Sequence, residues 1–88
     1  MDKKLLLSLR QRAHKLKPVV MIGSNGLTEA VQKETNLALE SHELIKIKIS
    51  SEDKPSRQEM INEICKVQDA NVIQQIGHTV IIYRKSED

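Results

Sequence analysis

Aromatic side chains are almost absent from this 88-residue sequence, which has no Phe, no Trp and a single tyrosine, Tyr83. A protein that binds single-stranded nucleic acid by stacking the bases on rings needs two or three exposed aromatic side chains. The chain cannot supply them. Base stacking is therefore excluded as its way of binding a partner.

Cysteines, metal ligands and long apolar runs are also scarce. Cys65 is the one cysteine, so an intramolecular disulfide is impossible and we expect a reducing, cytoplasmic setting. No run approaches the ~18 apolar residues of a membrane span, and no membrane partner is expected. The histidines lack Cys, Asp or Glu at familiar ligand spacing, so the sequence predicts no metal site. No cofactor and no small-molecule substrate are expected either. A chain of this length predicts one domain, residues 1–88, with no separate catalytic domain.

The charge is unevenly distributed along the chain. Fourteen Lys and Arg against twelve Asp and Glu give a net charge of +2. Residues 1–28 hold six basic side chains and one acidic one, whereas residues 29–88 hold eight basic and eleven acidic ones. A local basic patch is typical of a surface that binds a polyanion, although a solvated helix face gives the same pattern.

The first elements follow from periodicity and from Pro18. Residues 3–16 have helical period, with a core face beside a stripe of cations and with Leu7 outside the core. Pro18 ends this helix, and the apolar run 19–22 is typical of a strand buried on both faces. Thr28 and Glu29 then begin a second amphipathic helix. The core face of the first helix consists of Leu5, Leu6, Leu9, Ala13 and Leu16.

The second half predicts a strand, a helix and a hairpin. Residues 44–50 alternate, with isoleucines on one face and Lys46 and Lys48 on the other, and a solvated face is the preferred interpretation for the two lysines. After a polar connection, Ser56 begins a capping box for the third helix, in which Cys65 is a buried, inert thiol. Residues 72–76 and 79–84 form a hairpin around Gly77 and His78. The Leu and Ile positions are assigned to the core.

The result is an α+β fold of two layers, α-β-α-β-α-β-β, with a mixed four-stranded sheet. Strands joined through helices run parallel, so their carboxyl ends share one edge, which is where ligands of open α/β sheets bind. That edge collects residues 23–26, the connection 51–57 with Lys54 and Arg57, and the turn at Gly77 and His78. Arg84 should lie at the opposite end, away from a ligand.

Residues 23–26, Gly-Ser-Asn-Gly, are the one local motif whose residues suggest how the chain could bind a ligand. Glycines at both ends permit positive φ and remove side-chain bulk, so the loop can press its amides against a phosphate, assisted by the start of the next helix. An ordinary strand-to-helix connection explains the same residues. The loop lacks the Lys-Ser/Thr ending of a nucleotide P-loop.

Three segments, 16–28, 41–48 and 75–84, together resemble the CRM domain, the chloroplast RNA splicing and ribosome maturation module, in its bacterial YhbY-type stand-alone form. The resemblance implies RNA binding, association with precursors of the large ribosomal subunit, and a fold similar to the C-terminal domain of a bacterial translation initiation factor. It also implies that residues 23–26 are an RNA-contact loop and that the first helix provides a basic surface. Ser24 stands where many family members carry a basic residue.

The leading hypothesis is a non-catalytic protein that grips structured, ribosomal RNA through its phosphates. One alternative is a small enzyme that holds a phosphorylated metabolite at the glycines, and another is a protein adaptor that uses the basic helix. The acid, base or nucleophile of such an enzyme would come from Ser24, Thr28, Glu29, Glu52, Asp53 or His78. The predicted RNA-binding residues are Arg10, Arg12, His14, Lys15, Lys17, Gly23, Ser24, Asn25, Gly26, Lys54 and Arg57.

Overall fold

The computed structural model describes residues 2–86, which form three helices and four strands. In chain order the elements are α1 (Lys3–Ala13), β1 (Val20–Ile22), α2 (Glu29–His42), β2 (Leu44–Ile49), α3 (Lys54–Gln68), β3 (Asn71–Ile76) and β4 (Thr79–Tyr83). The predicted α+β class and the element order α-β-α-β-α-β-β are confirmed.

The four strands form one mixed sheet in the order β1-β2-β4-β3. β1 and β2 are parallel, whereas β4 lies between β2 and β3 and is antiparallel to both. β1, β2 and β3 therefore point in the same direction, and their carboxyl ends share one edge, as predicted. The hairpin between β3 and β4 turns at Gly77, whose φ of 56° is one that glycine adopts without strain.

The main core lies between one face of the sheet and the helices α2 and α3. Ile45, Ile47 and Ile49 alternate along β2 and are each at most 1% exposed. Because successive side chains of a strand point to opposite faces, all three lie on the same face. Leu39 of α2 and Ile64 of α3 belong to the same buried cluster. Each such side chain contributes roughly 1.5–3 kcal/mol when fully buried, so this face holds the fold together.

A second, smaller core lies on the other face of the sheet, beneath α1. Leu9 and Ala13 of α1 pack in one cluster with Leu44, Ile73 and Ile81 of β2, β3 and β4. α1 thus adds a third layer over part of this face, beyond the two layers expected from the sequence. The remainder of the face, toward the carboxyl edge, carries no helix.

The first helix is shorter than its pattern predicts. α1 ends at Ala13, and the next residues form a turn with bonds to the third residue back: the amide of His14 donates to the carbonyl of Gln11 at 3.4 Å, and that of Leu16 to Ala13 at 3.1 Å. Such tighter turns are common where a helix ends. Pro18 therefore does not mark the end of the helix itself.

The third helix begins two residues before the predicted cap. Asp53, and not Ser56, is the N-cap residue, because its carboxylate accepts a hydrogen bond from the amide of Ser56 at 3.2 Å. Pro55 follows in the first turn, where its missing N–H costs nothing. The prediction of a capping box at Ser56 is wrong. Asp and Ser are both favourable N-cap residues, and the helix begins after Asp53, which comes first in the chain.

The expectation that β1 is buried on both faces is wrong. Val20 and Ile22 are buried, but Met21 is 66% exposed. β1 lies at the edge of the sheet, and α1 packs over β2 and β3 instead. An apolar run therefore does not by itself reveal a strand's position in the sheet.

Several other apolar positions also differ from prediction. Leu7 is 56% exposed, which confirms its place outside the core. The assignment of the other Leu and Ile positions to the core is wrong for three side chains, which are exposed because the helices and edge strands carry apolar residues beyond their packed faces. These are Leu5, Leu37 and Ile76.

Candidate nucleic-acid interface

The ends of β1, β2 and β3 are bonded together at the carboxyl edge of the sheet. Ser50 donates from both its amide and its hydroxyl to the carbonyl oxygen of Ile22, at 3.0 and 2.8 Å. The amide of Ile49 donates to the carbonyl of His78 at 2.7 Å. These bonds bring the glycine loop, defined as Gly23–Gly26, next to the segment after β2 and the hairpin turn.

The glycine loop is an exposed turn in which only one glycine uses its conformational freedom. The amide of Gly26 donates to the carbonyl of Gly23 at 3.0 Å, and Gly26 has a φ of 69°. Gly23 has no such φ, and a Cβ built there meets nothing within 4 Å. Residues 23–25 are exposed, so the tip of the turn is open to a ligand.

The two glycines should therefore respond differently to alanine. We expect Gly26→Ala to lower the free energy of unfolding by about 1–2 kcal/mol, because an L residue pays that much in the left-handed region. Its Cβ would lie 4.0 Å from Cε of Met60, an ordinary contact, so the cost is conformational. Gly23→Ala is the matched control and should not destabilise the protein. Urea unfolding measures both; equal losses would contradict the assignment.

The glycine loop leads directly into the N-terminus of α2. Thr28 caps this helix, as predicted, because its hydroxyl oxygen accepts from the amide of Val31 at 3.1 Å. The amide of Thr28 in turn donates to the carbonyl of Gly26 at 3.0 Å. The first amides of a helix have no helical acceptors and form its positive end, which favours an anion. Glu29 in the first turn places a carboxylate at the same end and opposes that effect.

Lys54 and Arg57 lie at the start of α3, at the same edge, but in different environments. Lys54 is exposed. The Arg57 guanidinium is partly buried: Nη1 donates to the carbonyl of Ser51 at 2.8 Å and lies 3.4 Å from Nε2 of His78. His78 in turn lies 3.6 Å from the carboxylate of Glu52. Arg57 therefore joins α3 to the segment after β2, whereas Lys54 is free to face solvent.

The cations that follow α1 converge on a groove that the sequence did not reveal. A cavity of about 800 Å³ separates the end of α1 from the amino ends of β1 and β2 and the last turn of α2. We call it the α1 groove. None of its lining residues is acidic. Its basic or imidazole side chains are Arg12, Lys15, Lys17, His42 and Lys46.

Arg10 of α1 and His14, the residue that follows α1, lie outside the α1 groove. Nε of Arg10 donates to the carbonyl of Ile73 at 3.1 Å and so ties α1 to β3. His14 lies beside a smaller cavity of about 250 Å³, which is also lined by Lys46 and Thr79. The structure thus divides the predicted basic surface: Arg12 and the residues after the helix line the α1 groove, and Arg10 packs toward β3.

The sequence did not indicate His42 as a binding residue, and it predicted that Lys46 lies on a solvated face of the sheet. Both line the α1 groove only because α1 packs across the second face of the sheet. The alternation of β2 indicated that Lys46 faces away from the main core, but not that another helix lies beside it. The sequence signal was Leu44, an apolar side chain on the same face of β2 as Lys46, which is buried in the structure. An apolar residue on this face indicates that another element covers it.

Arg84 lies at the opposite edge of the sheet, as predicted. Its amide donates to the carbonyl of Glu43, which precedes β2, at 2.9 Å. Its guanidinium donates to the carbonyls of Gln68 and Asn36 at 3.2 and 3.3 Å. Arg84 therefore joins the end of β4 to the end of α3 and to the middle of α2.

Two of the six side chains proposed for an enzyme have structural roles. Thr28 and Asp53 cap helices. Among the described residues, Glu52 and His78 form the one acid–base pair at this edge, at 3.6 Å. Burial raises the pKa of the Cys65 thiol, which keeps it protonated and weakly nucleophilic at neutral pH. Within residues 2–86, no three His, Cys, Asp or Glu side chains cluster as metal ligands would, and no described helix is both long and apolar enough to span a membrane.

Comparisons with known proteins agree with this architecture. An RNA-binding protein of Haemophilus influenzae is 48% identical over 80 residues, which cover 91% of this chain and 81% of that protein. A Pseudomonas aeruginosa protein named "Probable RNA-binding protein" is 40% identical over 83% of this chain and 70% of its own length. The solution structure of a hypothetical protein from Staphylococcus aureus matches with a TM-score of 0.84 and 28% identity, covering 100% of this chain and 92% of that one. The model of the CRS1 / YhbY (CRM) domain matches residues 1–84, and the chain therefore belongs to that family.

Proposed function

We propose that this protein is a non-catalytic RNA-binding protein of the cytoplasm that grips folded ribosomal RNA during assembly of the large ribosomal subunit. The glycine loop and the N-terminus of α2 hold one phosphate, and the α1 groove holds further phosphates. Lys54 extends the contact at the carboxyl edge. The names of its relatives support RNA binding in general.

The observation that carries the proposal is the continuous basic segment at the start of the chain. Residues 1–28 comprise α1, its turn, β1 and the glycine loop, and they hold six basic side chains against Asp2. A phosphate-rich partner gains from such a segment, because each neutralised phosphate releases condensed counterions. An acidic protein partner would gain less, since it offers no comparable counterion release.

Recognition by phosphates and shape also fits the environment of Tyr83. The single aromatic ring is partly buried and packs against the cluster beneath α1, so it is not presented for stacking. Without rings, specificity must come from the fold of the RNA.

Crosslinking in cells, followed by sequencing of the attached RNA, tests the proposal. We expect large-subunit ribosomal RNA to dominate the attached fragments, and a Gly23/Gly26 double substitution to reduce them. Fragments spread evenly over messenger RNA would overturn the ribosomal target. Saturable turnover of a phosphate ester, lost in His78→Ala, would replace the proposal with the enzyme.

Ser24→Lys should strengthen RNA binding. Ser24 is exposed at the tip of the glycine loop, so a lysine fits there without displacing other groups. The logarithm of the binding constant falls linearly with the logarithm of the salt concentration, and we call the steepness of this fall the log-log salt slope. One added phosphate contact increases it by about 0.7–0.9 and should increase affinity severalfold at moderate salt. Filter binding with a large-subunit ribosomal RNA transcript across a salt series measures both.

Leu37→Lys is the control for Ser24→Lys. Leu37 is 63% exposed on α2, away from the loop, and its replacement adds the same charge. It should leave the salt slope unchanged. If the two variants gain affinity equally, total charge and not the loop determines binding.

A further inference from the structure

The open part of the sheet's second face lies between the α1 groove and the glycine loop. Leu44 is buried beneath α1, and Lys46 and Lys48 follow it on the same face at alternate positions of β2. Lys48 pairs with Met21 of β1, two residues before the glycine loop begins at Gly23. Lys46 lies two positions further back along β2 and lines the α1 groove. The two lysines thus occupy the interval between the two phosphate-binding regions proposed above.

The distances between Lys46, Lys48 and the glycine loop suit a continuous path for the sugar-phosphate backbone of an RNA strand. A strand advances about 3.3 Å per residue, so Lys46 and Lys48 lie roughly 7 Å apart along the sheet, and the glycine loop begins roughly 7 Å beyond Lys48. The distance from the α1 groove to the loop is therefore about 13 Å along β1, with a cation at the start and in the middle of the path.

Acidic side chains are scarce on the strands, on α1 and on the turn that follows α1. None of the four strands contains Asp or Glu. α1, the segment up to Lys17 and the two lysines of β2 together hold eight of the fourteen basic side chains and only Asp2 of the twelve acidic ones. The rest of the chain, including α2 and α3, holds six basic and eleven acidic side chains. The molecule is therefore strongly two-sided, although its net charge is only +2.

Neither Lys46 nor Lys48 forms an ion pair with another described residue. Among residues 2–86, the one ion pair within 4.0 Å joins His78 and Glu52, so Lys46 and Lys48 have no carboxylate partner there. Lys46 is partly buried and lines both the α1 groove and the smaller cavity beside His14. Lys48 is exposed. Like charges held close without a partner favour an anion that bridges them.

We propose that the sheet face carrying Lys46 and Lys48 is a phosphate-binding track that carries one RNA backbone strand from the α1 groove to the glycine loop. This rests on the proposed RNA-binding function and names the path of the RNA on the protein. Exposed Met21 and Ile76 flank the track, at opposite edges of the sheet. They lie beside sugar or base edges, whereas the lysines contact phosphates.

The test is a salt series with the large-subunit ribosomal RNA transcript and the variant Lys46→Gln/Lys48→Gln. Losing two phosphate contacts should lower the log-log salt slope by about 1.4–1.8 and weaken binding on the order of tenfold at moderate salt. Lys33→Gln/Lys66→Gln is the matched control, because it removes two exposed lysines from α2 and α3. The control should keep the wild-type slope. An equal loss in both double variants overturns the track.

Two further variants distinguish a lost phosphate contact from a folding defect. Lys48→Gln alone changes an exposed side chain and should lower the slope by about 0.7–0.9. Lys46→Arg/Lys48→Arg keeps both charges and should retain the wild-type slope. If Lys48→Gln binds with the wild-type slope, the track is wrong.

The same series separates the track from the proposed function and from a protein partner. If substitutions in the α1 groove weaken RNA binding but Lys46→Gln/Lys48→Gln does not, the track fails and the function stands. If neither set weakens RNA binding, the proposed function fails as well. If Met21→Gln/Ile76→Gln releases the protein from ribosomal particles while the lysine variants bind RNA normally, the face docks a protein and the track is overturned.

Discussion

Replacing Arg12, Lys15 and Lys17 together by glutamate is expected to weaken binding to ribosomal RNA at least about a hundredfold at physiological salt, with the fold intact. All three side chains are exposed and line the α1 groove. Each lost phosphate contact removes about 0.7–0.9 from the log-log salt slope, so the slope should fall by roughly 2–3. The three new carboxylates also repel the backbone. Filter binding over a salt series gives slope and affinity, and circular dichroism checks the fold.

The matched control for this charge reversal is Lys33, Lys66 and Lys85 replaced by glutamate. These lysines are exposed and lie outside α1, the α1 groove and the glycine loop, and the change in net charge is the same. The control should bind with nearly the wild-type slope. If both triple variants lose affinity alike, the groove has no special role. Arg10 is left unchanged because its hydrogen bond to Ile73 holds α1 on the sheet.

The carboxyl edge of the sheet could be predicted because it depends on strand direction alone. Helical crossovers make β1, β2 and β3 parallel in direction, and this places the glycine loop beside Ser50 and the hairpin turn wherever β4 is inserted. The cap of α2 at Thr28 is equally local, since the residue bonds an amide three positions ahead. Features that depend on short-range bonds or on chain direction are readable from sequence.

The α1 groove could not be predicted, because it depends on which face α1 packs against. The helical period of residues 3–16 gives an apolar face but no partner for it, and Lys46 and Lys48 read as a solvated strand face. Once Leu9 and Ala13 pack on Leu44, Lys46 lies beside the cations that follow the helix. The error about Met21 has the same origin, since only the strand order shows that β1 lies at the sheet edge.

Leu9→Ala should lower the free energy of unfolding by about 2–5 kcal/mol. Leu9 is 0% exposed and is central to the small cluster beneath α1. Its truncation leaves a cavity that the neighbouring side chains cannot fill. The loss is large because the free energy of unfolding of a typical domain is only about 5–15 kcal/mol. Urea unfolding measures the change. Leu7→Ala is the control on the same helix: Leu7 is 56% exposed, so its loss should stay within about 0.5 kcal/mol.

Leu9→Ala should also show that α1 opens separately from the rest of the domain. α1 is held by one small cluster and the Arg10 bond, whereas α2 and α3 share the larger core. Hydrogen exchange of the α1 amides should therefore accelerate more than that of α2 or α3. Because α1 forms one wall of the α1 groove, RNA binding should weaken although no charge is removed. Uniform acceleration across all three helices would contradict an independently docked α1, and unchanged RNA affinity would show that the groove does not need it.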